Sequence, residues 1–309
     1  MDVKIVEVGL RDGLQNEPVT LATEVKKELI ERLFQSGIKH LEVTSFVHPK
    51  WIPQLSDADR LAAGLPRLPV TYRALVPNLR GLKRALDTRI DEYAVFLSAS
   101  ESHNQKNINK SIRDTIPVLR EVVQLAHQHG KRVRGYVSTV FGCPYEGDVP
   151  VQNVVRICEQ LLDMGVYEIS LGDTIGVAAP LEVKNRLKDI MSAVPASKLA
   201  GHFHDTRGTG LANAYVCLEA GIHTLDTSFG GLGGCPYAPG AAGNLATEDL
   251  VYMLNRQGID TGIDLDRLCE TSLYVQKQLG KPLPSKVLQS YAAKKKECGG
   301  GNEDGTGGH

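Results

Sequence analysis

Lys198-Leu199-Ala200-Gly201-His202-Phe203-His204-Asp205 carries two histidines at i and i+2, directly after a short apolar run. Read as a strand, its period of two puts both imidazoles on one face. Two neutral imidazoles side by side can hold a divalent metal. A carboxylate would complete such a site, and Val8-Gly9-Leu10-Arg11-Asp12-Gly13 near the N-terminus offers one. The fold must then bring residue 12 to residues 202 and 204.

A closed barrel makes that meeting. Short β-branched runs are expected as strands at Val3–Val8, His40–Thr44, Val70–Val76, Glu92–Leu97, Arg132–Val140, Tyr167–Ser170, Leu199–His204 and Thr224–Thr227. Amphipathic stretches at 23–36, 56–63, 79–86, 111–129, 150–164, 180–193, 209–220 and 246–256 are expected as helices. Several close on a glycine, as in Ser36-Gly37, His129-Gly130, Met164-Gly165 and Ala220-Gly221, where a left-handed residue ends a helix. Eight strand-then-helix units read as an α/β fold of the TIM (β/α)8 barrel type, with the helices outside. A doubly wound open sheet is the competing arrangement, but no GxGxxG follows the first strand. Residues 263–290 add a helical stretch, Leu265–Leu279, so additional C-terminal helices are expected against the barrel. The catalytic barrel is assigned to residues 1–290. Residues 291–309, which end in a polar, glycine-rich run from Cys298, are assigned to a flexible tail.

Composition fits this class. The chain has 309 residues, 42% hydrophobic and 23% charged, with a formal net charge of -1, values of a globular protein with a sizeable core. No basic stripe points to nucleic acid, and no apolar stretch is long enough for a membrane. The first strand begins almost at Met1, so no targeting peptide is expected and the expected location is cytoplasmic. The six cysteines lack CxxC spacing and read as reduced thiols.

In a barrel, residues just past each strand's C-terminus gather on one rim. Those positions are Arg11 and Asp12, Glu42 and Thr44, Asn78, Asp173, His202 and His204, and Ser228 with the loop that follows it. Each has an ordinary reading: Asp12 as a turn cap, Arg11 as a partner for Glu42, His204 hydrogen-bonded in the core, Asp173-Thr174 as a helix N-cap. Two same-face histidines together with a strand-end aspartate favour a metal site. Asp12, His202 and His204 supply mixed oxygen and nitrogen donors, a set that suits magnesium or manganese, with zinc as an alternative. A side-chain amide such as Asn244 is a candidate fourth ligand. The loop 230–244 holds six glycines, two prolines and Cys235. Long loops in compact domains tend to carry function, and a cysteine above a cationic site is activated by a lowered thiol pKa. His127 and His129 read as solvated, His223 as structural and Cys143 as buried.

Taken together, these motifs resemble the 3-hydroxy-3-methylglutaryl-CoA lyase family, over roughly residues 3–290. The resemblance is carried by Val6-Glu7-Val8-Gly9-Leu10-Arg11-Asp12-Gly13-Leu14-Gln15-Asn16-Glu17, Glu42-Val43-Thr44-Ser45-Phe46, Lys106-Asn107-Ile108-Asn109, Gly142-Cys143-Pro144-Tyr145-Glu146-Gly147 and Ile169–Gly176. It continues through His202–Asp205 and Gly231-Leu232-Gly233-Gly234-Cys235-Pro236-Tyr237 to Gly243–Leu250. The glycine-cysteine loop is the most specific of these segments; the Arg-Asp-Gly and His-x-His elements are shared with related acetyl-CoA-dependent synthases. The resemblance implies a TIM barrel that cleaves an acyl-CoA with a divalent metal, magnesium or manganese, and assembles as a homodimer. It implies metal ligands at Asp12, His202, His204 and Asn244, catalytic groups at Arg11, Glu42, Asp173 and Cys235, and a base at His202 or Asp12. Lys50, Lys106 and Lys110 are candidates for the CoA phosphates.

The chain departs from the family at several places. Ser228-Phe229-Gly230 replaces a Ser-Val-Ala, Phe203 a cysteine, Leu10 a proline, His48 a serine, and Arg207-Gly208-Thr209 a Tyr-Gly-Gln. None removes an expected ligand. Arg207 is expected near the rim, where it would favour another carboxylate substrate such as citramalyl-CoA. A condensing acetyl-CoA synthase and a barrel that binds acyl-CoA or a metal without turnover are the competing functions.

Overall fold

Eight short strands, their apolar residues buried between barrel core and outer helices, form β1 (Lys4–Glu7), β2 (His40–Ser45), β3 (Thr71–Leu75), β4 (Glu92–Ser98), β5 (Arg132–Ser138), β6 (Ile169–Asp173), β7 (Leu199–Phe203) and β8 (Thr224–Thr227). The computed structural model describes residues 2–234 and 243–299. All eight strands pair in parallel in chain order and close into a barrel, with Lys4 to Glu7 of β1 in register with Thr224 to Thr227 of β8. The register slips in β2 between Glu42 and Thr44, a bulge that re-aims side chains beside the rim.

The helices expected from periodicity form within one or two residues of their expected ends, from Thr23–Gln35 to Thr247–Arg256. Helix Leu79–Leu86 starts at Asn78, whose side chain accepts the Gly81 amide at 3.0 Å. Helix Leu265–Leu279 packs against the first helix and the last barrel helix.

Three boundaries differ from expectation. A helix at Glu101–Ile108 has no apolar periodicity to reveal it; it is held from outside, by Asn104 Oδ1 accepting the Ser98 amide at 3.0 Å and by the Ser98–His103 side-chain contact. β6 runs to Asp173, so this residue ends the strand rather than following it. The stretch 291–309 is not tail throughout, because helix Lys286–Gly299 occupies its first nine residues. Ala292, Ala293 and the following lysines are strong helix formers, and Asp249 accepts the Lys286 and Val287 amides that start the helix.

The barrel interior is charged at its N-terminal end. Glu168 accepts from Lys4 at 2.5 Å and from Arg134 at 2.7 Å, and Arg134 also forks onto Asp226 at 2.8 and 3.0 Å. Burial works against the Glu168 carboxylate, but Arg134 and Lys4 outweigh it and bring its pKa from 4.5 to about 2. A depressed carboxyl pKa stabilises the fold above the unfolded value, and the gain is lost as pH falls through the folded one. Denaturant midpoints should therefore fall between about pH 4.5 and 2, and Glu168→Gln should flatten that part of the profile.

Candidate active site

The turn after β1 is a single wide helical turn, Gly9–Gly13, in which the Arg11, Asp12 and Gly13 amides all converge on the Val8 carbonyl. It aims Arg11 and Asp12 inward. Both are buried. Arg11 Nε donates to Glu42 Oε1 at 2.5 Å and Nη1 to Asp12 Oδ1 at 2.6 Å. Gln15 donates to the same Asp12 oxygen at 2.9 Å. The other oxygen, Oδ2, faces the imidazoles: His202 Nε2 lies 3.7 Å away and His204 Nε2 3.8 Å.

Among the described residues, Asp12, His202 and His204 form the one group of acid, imidazole or thiol side chains whose donor atoms all lie within 4.8 Å of one another. The expected meeting of the chain's two ends is therefore made. Asn244 joins them from an extended segment that bridges to His204. Its Nδ2 donates to Asp12 Oδ2 at 2.9 Å and to the Leu232 carbonyl at 3.1 Å. Its Oδ1 and His204 Nδ1 are buried without a hydrogen-bond partner, which is costly unless a further ligand satisfies them. A carboxylate, two imidazoles and an amide oxygen fit a divalent cation.

Burial opposes ionisation of Asp12, yet the Arg11 guanidinium and the two imidazoles hold its carboxyl far below the usual carboxylate range. Burial likewise disfavours the Arg11 cation, but Glu42 and Asp12 keep it charged. Asp226, on β8, lies 3.3 Å from His202 Nδ1. A carboxylate there fixes the tautomer that turns Nε2 toward Asp12. Tyr136 donates to Glu42 Oε2 at 2.7 Å, and its ring stands edge-on to His202 and 5.3 Å under the Arg11 guanidinium.

Arg11, Asp12, Gln15, Tyr136, His202 and His204 line a cavity of about 680 Å³, a size that suits a ligand site. Trp51, Asn107 and Lys110 line its outer part. Lys50 and Lys106 do not line it; Lys106 sits 4.1 Å over the Tyr145 ring instead.

Two expected site residues are engaged by backbone groups. Asp173 is buried, and its two oxygens accept the Val177 and Ala178 amides, both at 3.0 Å. Its ordinary reading, a capping carboxylate, describes its contacts; the cap holds the turn that presents Thr174. Arg207 is exposed and outside the cavity wall, because its guanidinium is spent on the Ile175 and Gly176 carbonyls. It meets no substrate carboxylate there, so the citramalyl-CoA preference loses its basis. Cys235 lies outside the described residues. Phe203 points away from the site and packs on Phe141 at 5.7 Å, as the period of two requires.

Sequence reasoning passed over Asp226, Arg134, Tyr136 and Gln15. A signal existed for three of them. Arg134 and Tyr136 alternate within β5, and Asp226 stands inside β8; polar groups in barrel strands point inward to partners. Asp226→Asn should weaken Mn²⁺ binding about 10- to 100-fold, the usual loss when a group supporting a ligand is changed, in calorimetric titration of the metal-free protein.

A closed parallel barrel that gathers carboxylate, imidazole and guanidinium groups at the C-terminal ends of its strands defines a barrel enzyme. The chain matches the HMGL-like family model over residues 2–275 and belongs to that family. It is 53% identical to the hydroxymethylglutaryl-CoA lyase YngG of Bacillus subtilis, over 94% of this chain and 97% of that protein. It is 46% identical to a 3-hydroxy-3-isohexenylglutaryl-CoA/hydroxymethylglutaryl-CoA lyase of Pseudomonas aeruginosa, over 94% and 98%. Among solved structures, the HMG-CoA lyase of Acinetobacter baumannii in complex with coenzyme A and 3-methylmalate superposes with a TM-score of 0.89 at 38% identity, covering 100% of this chain and 98% of that one.

Proposed function

We propose that the chain is a carbon–carbon lyase that cleaves 3-hydroxy-3-methylglutaryl-CoA to acetoacetate and acetyl-CoA, with magnesium or manganese held by Asp12, His202, His204 and Asn244. The observation that carries this reading is the buried Asp12–His202–His204 cluster within 4.8 Å at the wall of the cavity. Relatives about half identical over nearly the whole chain are lyases of this substrate, which disfavours the condensing and binding-only alternatives.

A bound divalent cation supplies Lewis acidity to the substrate's tertiary hydroxyl. Asp12 or His202 takes its proton. Asp226 at the other nitrogen of His202 holds that ring in place. The carbon–carbon bond then breaks, releasing acetoacetate and leaving the acetyl-CoA enolate. Arg11 faces the oxyanion; a preorganised donor of this kind contributes about 3 kcal/mol. Glu42 and Tyr136 hold that guanidinium in place. Proton delivery to the enolate carbon is assigned to Cys235 on the resemblance alone. The cavity face with Trp51, Asn107 and Lys110 is the part we assign to the CoA moiety. We place the reaction in the cytoplasm; no helix among the described residues is long and apolar enough to cross a membrane, and Cys143, Cys158, Cys217 and Cys269 are free thiols.

The test is product analysis by mass spectrometry after chelation and readdition of cation. Acetyl-CoA and acetoacetate should form in equal amounts, only with Mg²⁺ or Mn²⁺ present. Full turnover in excess chelator, or no product from this thioester, would overturn the reading.

A further inference from the structure

Glu7 ends β1, and no part of the chemistry above uses it. Its carboxyl is fully buried, and no ion pair reaches it among the described residues. Oε1 accepts the Gly9 amide at 2.7 Å and the Phe229 amide at 3.0 Å, and Oε2 is 2.6 Å from the Thr247 hydroxyl. Each partner opens a different segment. Gly9 starts the turn that carries Arg11 and Asp12. Phe229 starts the turn whose Leu232 carbonyl receives the Asn244 amide. Thr247 opens the last barrel helix, three residues after Asn244.

The three segments meet with no slack. A methyl group on Gly9 would stand 2.4 Å from the Phe229 ring and 2.7 Å from Glu7 Oε1. A carboxyl buried without a cation is an expensive way to stabilise a fold, since an apolar residue of similar size avoids the desolvation cost. What an apolar residue cannot do is accept hydrogen bonds from three separate strands of chain. We propose that Glu7 is a positioning residue that sets Asp12 and Asn244, the first and last ligands in the chain, at one distance from each other.

Burial raises the Glu7 pKa to about 8. Thr247 Oγ1 donates to Glu7 Oε2 and also lies 2.8 Å from Thr227 Oγ1. A glutamine keeps a carbonyl facing the two amides and turns its NH₂ to Thr247 Oγ1, whose hydrogen then goes to Thr227.

This inference rests on the metal reading proposed above. The experiment compares wild type, Glu7→Gln, Glu7→Leu and Thr247→Val by calorimetric Mn²⁺ titration of the metal-free proteins and by steady-state kinetics. Glu7→Gln should keep Mn²⁺ affinity and kcat within about 3-fold. Glu7→Leu should weaken Mn²⁺ binding about 10-fold or more and lower kcat at least as much, while KM moves less than about 3-fold, because Trp51, Asn107 and Lys110 sit on other segments. Thr247→Val, which removes one of the three contacts, should fall between them, and it decides the matter if Glu7→Leu does not fold. Mn²⁺ affinity and kcat unchanged in Glu7→Leu, or in Thr247→Val where the former is unfolded, would overturn the positioning role. So would a Glu7→Gln as impaired as Glu7→Leu. Wild type that binds no Mn²⁺ would sink the metal reading itself, a result distinct from variants that bind as wild type does.

Discussion

Alanine at His204 is expected to abolish cleavage, with kcat/KM for 3-hydroxy-3-methylglutaryl-CoA falling by at least ~10³-fold. A Lewis-acid cation is worth several kcal/mol to the developing charge, and about 4 kcal/mol corresponds to that factor. The loss arises from the cation, not from collapse of the fold. His204 Nδ1 holds no hydrogen bond, and its Nε2 lies 3.8 Å from Asp12 Oδ2. Truncation therefore removes a ligand and leaves Asp12 with its Arg11, Gln15 and Asn244 partners. The variant should melt within a few degrees of wild type and bind Mn²⁺ far more weakly by calorimetry. Activity within tenfold of wild type would remove the cluster from the chemistry.

Arg11→Lys has the second largest expected effect, a fall in kcat of about 10²–10³-fold with KM nearly unchanged, the usual result of removing one preorganised oxyanion donor. Lysine keeps the charge that Asp12 and Glu42 require, so stability should hold. It loses the planar fork that binds Glu42 through Nε and Asp12 through Nη1, and with it the fixed aim of the third edge. Arg11→Met separates the two roles. It should lose the same catalytic factor and also destabilise the fold by about 3–5 kcal/mol, because Glu42 is then a buried charge without its cation. Thermal melts of the two variants against wild type distinguish aim from charge. A Lys variant with full kcat would assign the oxyanion to another donor.

Much of this architecture was legible residue by residue. Eight β-branched runs, each followed by an amphipathic stretch and several of these by a glycine stop, specify eight strand–helix units, since propensity and periodicity are local properties. The period of two placed His202 and His204 together and sent Phe203 to the other side. What stayed illegible was either held from outside or lacked a pattern. Helix Glu101–Ile108 has no apolar stripe and depends on β4 for its anchors. Asp173 and Arg207 looked like rim chemistry, but each has found backbone partners close in space, and a short list of polar residues does not say which of them will be used that way.

The residue types that could hold a cation, and the strand ends on which they sit, follow from local chemistry alone. Which oxygen of Asp12 faces the imidazoles, that Asp226 and not some other carboxylate backs His202, and that Glu7 clasps three segments were decided only when the barrel closed. The reason is physical: β1 and β8 are neighbours through closure, and partners more than two hundred residues apart in the chain acquire a distance only from the packing of everything between them.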